Sequence, residues 1–228
     1  MLEILYCDSE IVVLVKPVGL ISEDGDVGES VFPAIAEALT ARGERNTALF
    51  PIHRLDRNVG GVMVYARTAR AAAKLSEDVR QGKLSKTYLA LVHGVPSEMC
   101  GTYRDFLFKD TRKNKSYVVS RQRKGVREAV LDYETLTTLG DRSLVRVTLH
   151  TGRSHQIRVQ FAHRKTPLVG DGKYGAADNE KSLGLFSHCL AFLHPESGEA
   201  LSFSALPQDS LFADCIAAAG FPLARKNN

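Results

Sequence analysis

The sequence predicts an α+β fold with a mixed, largely antiparallel sheet. Short runs of β-branched and aromatic residues recur along the chain between glycines and prolines, a pattern typical of strands. Helical patterns occur only between some of these runs, without the regular strand–helix alternation of a doubly wound nucleotide-binding fold. The chain has 228 residues, enough to enclose a substantial core. We therefore expect one domain that covers residues 1–228.

The first strand and the first helix follow from signals near the N-terminus. Residues 11–15 are an apolar, β-branched run that predicts a buried strand, and a turn with proline and glycine at residues 16–20 ends it. Residues 24–29 are acidic and rich in glycine, which predicts a loop. Ser30 is then a candidate N-cap for a short helix that reaches about Ala41.

Later elements are predicted in the same way. Residues 49–57 are expected to be extended, with a turn at residues 58–61, and Thr68 is a candidate N-cap for an alanine-rich helix to about Gln81. Apolar runs predict strands at residues 62–66, 86–93, 117–120, 128–139, 143–150, 185–193 and 200–203. A change to a helical period predicts helices at residues 154–164, capped by Ser154, and at residues 208–219.

Composition excludes several classes of protein. Hydrophobic residues make up 44% of the chain and charged residues 25%, as in an ordinary globular protein. Every apolar run is shorter than the roughly 20 residues that span a bilayer. The N-terminus lacks the basic start and apolar stretch of a signal peptide. We expect a cytoplasmic protein with no membrane partner.

The cysteines and histidines do not have the spacing of metal ligands. Cys7, Cys100, Cys189 and Cys215 are scattered without a Cys-x-x-Cys pair, and the sequence contains no His-Glu-x-x-His motif. We expect isolated, reduced thiols, no metal site and no disulfide framework.

Positive charge is concentrated in residues 109–127. The whole chain has a net charge of +4, whereas this segment has eight basic residues against one acid, Asp110. A run of charges is often only a solvated face, but cations interleaved with Tyr117 and two valines also suit a strand pair laid along a polyanion. The second interpretation predicts nucleic-acid contacts from Lys113, Lys115, Arg121, Arg123 and Lys124.

An acidic side chain lies between two arginines just before a glycine pair and an apolar strand. Asp56 is flanked by Arg54 and Arg57. It is either a turn residue that forms surface ion pairs or a nucleophile or general base. Burial raises the pKa of a carboxyl from about 3.9, and a guanidinium lowers it again. A working carboxylate in a closed site therefore needs an arginine partner.

A second polar group surrounds the start of the helix predicted near residue 154. Arg153, His155 and Arg158 lie there, and His155 and Arg158 share one helix face. These residues suit either a basic helix that grips phosphates or a partner for Asp56. The spacing does not decide whether Arg153 or Arg158 reaches that carboxylate.

Two further patterns concern Tyr88 and Lys173. Tyr88 lies in a predicted strand, with Lys86 two residues earlier on the same face, and suits either the core or a ring that stacks on a base. The turn at residues 167–175 either reverses the chain or brings backbone N–H groups and Lys173 to a phosphate.

Together these motifs resemble those of the RluA-type pseudouridine synthases, which isomerise uridines in ribosomal and transfer RNA. The similarity extends over nearly the whole chain, and several independent motifs in one order are a specific signal. The motifs are the Lys-Pro-x-Gly-Leu turn at residues 16–20, His53-Arg-Leu-Asp56, Lys86-x-Tyr88-x-Ala90, Gly152-Arg-Ser-His-Gln-Ile-Arg158 and Gly170-Asp-x-x-Tyr-Gly175.

The resemblance implies the pseudouridine synthase fold, with a cleft across the sheet that receives a flipped uridine. It implies that Asp56 is the catalytic nucleophile, that Tyr88 packs against the base and that Arg158 pairs with Asp56. Arg54 would fill the space that the base leaves or hold the backbone beside it. The family needs no metal or organic cofactor. We also expect RNA contacts from Arg54, Arg57, Lys86, Arg153, His155 and Lys173.

Two departures from the family pattern affect this interpretation. Val59-Gly60-Gly61 stands where the family commonly has Thr-Ser-Gly, so hydrogen bonds from two hydroxyls near the nucleophile must come from elsewhere. The chain also starts directly at the catalytic domain. We therefore expect no appended N-terminal RNA-binding module, and a monomer that selects its RNA through its own loops.

Two other classes of protein remain open. Val59-Gly60 favours a catalytically inactive RNA-binding or ribosome-associated protein of the same fold. A hydrolase of nucleosides or glycosides that uses Asp56 would need a second carboxylate as general acid, and the motifs contain no obvious one. The sequence does not indicate which RNA or which uridine would be modified.

Overall fold

The computed structural model describes residues 2–23, 28–45 and 47–221, and within them it confirms an α+β fold with a largely antiparallel sheet. Most of the predicted loop at residues 24–29 lies outside the described residues. The strands are β1 (Glu3–Cys7), β2 (Ile11–Lys16), β3 (Phe50–Pro51), β4 (Gly60–Ala66), β5 (Ser85–His93), β6 (Cys100–Asp110), β7 (Lys115–Val119), β8 (Val126–Leu139), β9 (Arg142–Leu149), β10 (Leu185–Leu193) and β11 (Ala200–Ser204). The helices are α1 (Phe32–Ala41), α2 (Ala69–Arg80), α3 (Gln156–His163) and α4 (Ser210–Ala218).

The chain divides into two compact units. Unit 1 comprises Met1–Lys86 and Ser187–Leu206, and unit 2 comprises Thr87–Phe186 and Pro207–Asn228. The single domain expected from the sequence stays a prediction, as does the cleft across the sheet. Among the described residues, no helix has the length and apolar character needed to cross a membrane.

Unit 1 is built on the strand order β1-β2-β4-β10, with β3 paired to β4 and β11 to β10. The pairs β1–β2, β2–β4, β3–β4 and β10–β11 are antiparallel. Alternate residues of β2 and β4, such as Ile11 and Val64, pack in one hydrophobic core together with Leu75 of α2. A Cβ atom at Gly61 of β4 would lie 2.3 Å from the Ser187 carbonyl oxygen, so only glycine allows this approach of β4 to β10.

Unit 2 has the strand order β5-β9-β8-β6-β7, and the pairs β6–β7, β6–β8 and β8–β9 are antiparallel. Helix α3 packs against β6 and β7, and α4 packs against β8 and β9. Three aromatic rings, one each from α3, β6 and β8, pack together where the helix meets the sheet. The Tyr103 ring centroid lies 4.3 Å from that of Tyr133 and 5.2 Å from that of the fully buried Phe161.

Several elements differ from the sequence prediction. Strands β1 and β6 were not predicted, because their sequences show little alternation of apolar and polar residues. In the structure most of their residues are exposed or half-buried. Pairing with β2 forms β1, and pairing with both β7 and β8 forms β6. Of the predicted extended stretch 49–57, only Phe50–Pro51 is a strand. The predicted turn at residues 58–61 is shorter, because Gly60 and Gly61 already belong to β4.

The predicted helix caps have mixed outcomes. Thr68 caps α2 as predicted, since its side chain accepts a hydrogen bond from the Ala71 N–H. Ser30 accepts a hydrogen bond from the Phe32 N–H, but the N-cap position of α1 is Val31. The prediction that Ser154 caps α3 is wrong. The N-cap is His155, which has φ 54°, and no side chain forms a cap hydrogen bond at this position.

Candidate active site

Asp56 lies in the loop between β3 and β4, and the turn that follows β2 holds this loop on both sides of it. The Ser22 hydroxyl donates a hydrogen bond to the Leu55 carbonyl (3.0 Å) and accepts one from the Leu55 N–H (3.1 Å). On the other side, the Gly19 N–H donates to the Arg57 carbonyl (2.9 Å). The Arg57 Nε returns a bond to the Gly19 carbonyl (2.8 Å). The residues adjacent to Asp56 are thus fixed before and after it.

Lys16 closes the turn that holds the loop. Its side chain is fully buried, and its ammonium donates to the carbonyls of Pro17 (2.8 Å) and Leu20 (2.7 Å). Burial lowers the pKa of Lys16 to about 8, and the negative charge of Asp56 acts against that shift. The sequence placed Lys16 only in a turn. Its position directly after an apolar, β-branched run was the signal in the sequence that could have indicated a buried lysine that binds the carbonyls of the turn.

Ser22 supplies a hydroxyl close to the candidate nucleophile. Its side chain is buried, and its carbonyl accepts a hydrogen bond from the buried Tyr65 hydroxyl (2.9 Å). Burial raises the pKa of Tyr65, so this phenol stays protonated and donates. Val59 is also buried, and its N–H donates a hydrogen bond to the Asp56 carbonyl (2.9 Å). Sequence reasoning missed Ser22.

The basic neighbours of Asp56 have partners of their own. Arg54 is exposed and forms an ion pair with Glu23 at 2.5 Å. His53 accepts a long hydrogen bond from the Val64 N–H at its Nε2 (3.4 Å). Desolvation, helped by the charge of Lys86, lowers the pKa of His53 to about 3, so His53 is neutral. Burial also lowers the pKa of Lys86, a side chain that is half-buried rather than free on the surface.

In unit 2, Arg158 is held in a fixed position. Its Nε and a terminal nitrogen donate to the two carboxylate oxygens of Asp171 at 2.7 and 2.8 Å. Asp171 is buried, and the Arg158 guanidinium carbon lies 5.2 Å from the Tyr174 ring centroid. A bidentate ion pair with a stacked ring leaves the guanidinium little freedom. The pairing of Arg158 with Asp56 stays a prediction.

Tyr174 connects α3 to the basic strand β7. Its hydroxyl accepts a hydrogen bond from the Ser116 N–H (2.8 Å) and shares a second with His155 Nδ1 (2.8 Å). The Lys115 ammonium lies 5.1 Å from the ring centroid of Tyr174. Ser116 Oγ also donates to the Ser154 carbonyl (2.7 Å). The motif at residues 170–175 thus positions both Arg158 and β7.

The remaining predicted site residues lie in unit 2 as follows. Tyr88 is buried in β5. Arg153 donates from Nε to the Glu128 carbonyl (2.8 Å), and Lys173 donates to the Asn114 carbonyl (3.0 Å). The basic segment forms the end of β6, all of β7, the turns on either side of β7 and the start of β8. Within it, Lys113, Arg121, Arg123 and Lys124 are exposed, and Lys115 is half-buried.

Possible metal ligands do not gather in the described part of the chain. No group of three or more His, Cys, Asp or Glu side chains there has the arrangement of a metal site. The four cysteines are free thiols: Cys215 is buried, Cys100 is exposed, and Cys7 and Cys189 are half-buried. The expectation of isolated, reduced thiols stays a prediction.

Comparison with known proteins identifies the family of this chain. The family model of the RNA pseudouridylate synthases matches residues 10–163, more than half of the chain. The chain belongs to this family. The match includes β2, the Asp56 loop, Tyr88 and α3, so the resemblance to RluA-type pseudouridine synthases is confirmed.

Two relatives in the pseudouridine synthase family carry specific names. The chain is 32% identical to the ribosomal large subunit pseudouridine synthase C of Buchnera aphidicola, over 92% of this chain and 68% of that protein. It is also 32% identical to the tRNA pseudouridine synthase C of Haemophilus influenzae, over 90% of this chain and 92% of that protein. Some relatives are longer, and the chain spans 64–70% of the length of three of them.

A solved pseudouridine synthase domain has the same fold. The human RNA pseudouridylate synthase domain containing 4 aligns with a TM-score of 0.77, over 97% of this chain and 94% of that chain. The two sequences are 24% identical, so this likeness supports the fold alone.

Proposed function

We propose that this chain is an RNA pseudouridine synthase that isomerises uridine in ribosomal or transfer RNA, with Asp56 as the nucleophile. The observation that carries the proposal is the position of the Asp56 loop. Hydrogen bonds to the turn at residues 16–22 fix this loop on both sides of Asp56. A catalytic group must be held in place before substrate arrives, because small displacements cost large factors in rate. Relatives of the chain are named for the ribosomal large subunit and for tRNA.

The reaction consumes no co-substrate. The bond between N1 of uracil and C1′ of the ribose breaks, the base turns, and a bond forms between C5 and C1′. C5 releases a proton and N1 gains one, so atoms and charge balance. A nucleophile, a closed pocket and a cation that keeps the nucleophile ionised are sufficient for this chemistry.

In this proposal Arg158 is that cation, and Tyr88 packs against the flipped base. The bidentate bond to Asp171 supports the role of Arg158, because it fixes the orientation of the guanidinium. Extruding the uridine costs a few kcal/mol and is easiest in an unpaired segment. The exposed cations of the basic segment would bind the flanking phosphates. We also propose a monomer that acts in the cytoplasm.

The alternative of an inactive RNA-binding protein rested on Val59-Gly60. Ser22 weakens that argument, because its hydroxyl binds the backbone of Leu55 beside the nucleophile. No other feature of the described residues favours loss of catalysis.

The test uses RNA that lacks the modification. Total RNA from a strain without the gene is incubated with the purified chain, and pseudouridines are mapped after carbodiimide treatment. Asp56→Asn should form no pseudouridine and should unfold at the same urea concentration as the wild type. Asp214→Asn, a change of the same kind at an exposed position in α4, should retain activity. Full modification by Asp56→Asn would show that the nucleophile is another group.

The division between chemistry and RNA binding is tested separately. Arg158→Ala should lose turnover far more than RNA affinity. Charge reversal at Lys113 and Lys115 should weaken affinity and reduce its dependence on salt, because fewer counterions are released. Equal effects of both changes on both quantities would contradict the assigned roles.

A further inference from the structure

The sheet of unit 2 presents an aromatic face on the side away from α3. Phe108 of β6 is directly opposite Tyr117 of β7. The intervening residues belong to the other face, where Leu107 and Val118 pack with Val159 of α3. Because side chains alternate along a strand, Phe108 and Tyr117 project together from the face that α3 does not cover.

This face combines rings with cations. The Tyr117 side chain remains 37% exposed, a high value for a large ring in the middle of a strand. The Lys115 ammonium lies 5.9 Å from the Tyr117 ring centroid. The Arg123 guanidinium carbon lies 5.6 Å from the Phe108 ring centroid. A partly exposed ring with cations nearby can take a base on its π-face while the cations take phosphates.

We propose that Tyr117 is a stacking site for the base of an unpaired nucleotide in the RNA substrate. This inference rests on the proposed function, and it adds a site and a class of ligand to it. Paired bases in a duplex are covered on both faces by their neighbours, so only an unpaired base can lie on the Tyr117 ring. Lys115 and Arg123 then bind the phosphates on either side of that base.

A continuous set of contacts connects this site to Arg158. The Arg158 guanidinium lies 5.2 Å from the Tyr174 ring, the Lys115 ammonium lies 5.1 Å from the same ring, and Lys115 reaches Tyr117 at 5.9 Å. The Lys115 ammonium is thus close to both rings. Because the Tyr117 ring can take only an unpaired base, it restricts the RNA that binds. The substrate class that follows is a loop or other unpaired segment around the uridine, rather than a single base flipped from a long duplex.

The simpler interpretation is a pair of rings that only stabilises the β6–β7 hairpin. Cross-strand aromatic pairs contribute to sheets without any ligand. The two interpretations differ in what they predict for RNA. A purely structural ring affects the stability of the protein and leaves the affinity for unpaired RNA unchanged.

The experiment measures binding of the full chain to a stem-loop RNA and to a duplex of the same length, at several salt concentrations. Tyr117→Leu keeps an apolar side chain without a π-face and should bind the stem-loop about 5- to 100-fold more weakly. Its salt dependence should stay the same. Tyr117→Phe and Tyr117→Trp keep a ring and should bind as the wild type does. Lys115→Gln should instead reduce the slope of log affinity against log salt by about 0.7.

A fluorescent base in the loop reports stacking directly. 2-Aminopurine in the loop should be quenched by the wild type and by Tyr117→Trp, and not by Tyr117→Leu. Wild-type affinity of Tyr117→Leu for the stem-loop, equal loss for loop and duplex, or weak binding by Tyr117→Trp would overturn the inference. Pseudouridine formation by the wild type in the same RNA separates this failure from failure of the proposed function.

Discussion

Removal of the Ser22 hydroxyl tests whether the loop of Asp56 depends on the turn that holds it. Ser22→Ala deletes both hydrogen bonds to Leu55, one donated and one accepted. Ser22 and Leu55 are both buried, so water cannot easily replace the lost partner. The Leu55 N–H and C=O would then be left without the hydroxyl that satisfies them.

The expected magnitude follows from those two groups. A buried polar group that loses its partner costs about 1–3 kcal/mol. Two such groups on one residue should lower the free energy of unfolding by at least about 2 kcal/mol unless the loop moves. If the loop moves to reach water, Asp56 moves with it. A displacement of about 1 Å at a catalytic group can cost about 100-fold in rate.

The assay compares turnover and stability in matched variants. Ser187→Ala removes another buried hydroxyl of unit 1, one that donates to the Val62 carbonyl (3.0 Å). Both variants should lower the urea midpoint, but only Ser22→Ala should lower kcat for pseudouridine formation, by about 10- to 100-fold. Unchanged kcat in Ser22→Ala, or the same loss in Ser187→Ala, would refute a specific role of the turn in positioning Asp56.

Three further predictions concern Lys16, Gly61 and Tyr174. The pKa of Lys16 is about 8 in the folded chain, against 10.5 for an unperturbed lysine, so the unfolded state binds more protons between these values. The free energy of unfolding should therefore rise by up to about 3 kcal/mol between pH 8 and 10.5. Lys16→Met should abolish that rise in urea titrations, and a rise of the same size in the variant would exclude Lys16 as its source. Gly61→Ala should destabilise the protein by more than about 1 kcal/mol, because its Cβ would meet the Ser187 carbonyl oxygen. Gly172→Ala, where a Cβ meets no atom within 4 Å, is the control, and equal urea midpoints would contradict the steric argument. Tyr174→Phe removes the acceptor of the Ser116 N–H, so exchange of that amide should accelerate by about five- to tenfold. Unchanged exchange at Ser116 would show that Tyr174 does not hold β7.

Local signals were sufficient for much of the fold. Thr68 caps α2, and Gly82 follows the end of that helix with φ 71°, so both ends could be found from residue type alone. By contrast, β6 contains Gly101, Asp105 and Lys109 and has little strand character of its own. Its two neighbouring strands form it, and such pairing is not visible in a local window.

The candidate site was predictable in its motifs and not in its internal contacts. Asp56, Tyr88 and Arg158 were selected from spacing and from resemblance to a family. The Asp171 partner of Arg158 lay inside a quoted motif, but only the fold shows that its carboxylate binds the guanidinium. The left-handed conformation of His155 was missed as well, because a non-glycine residue with positive φ is uncommon.

The departure at Val59-Gly60 now has a physical interpretation. A hydroxyl at position 59 would be buried, because Val59 is 2% exposed, and it would then need a partner of its own. The loop here takes its hydroxyl from Ser22, which reaches Leu55 from a turn that Lys16 closes through two carbonyls. The hydroxyl that Ser22 supplies comes from a segment more than thirty residues earlier in the chain. A sequence comparison confined to the aspartate motif counts two absent hydroxyls and misses that of Ser22, whose two hydrogen bonds fix the backbone beside Asp56.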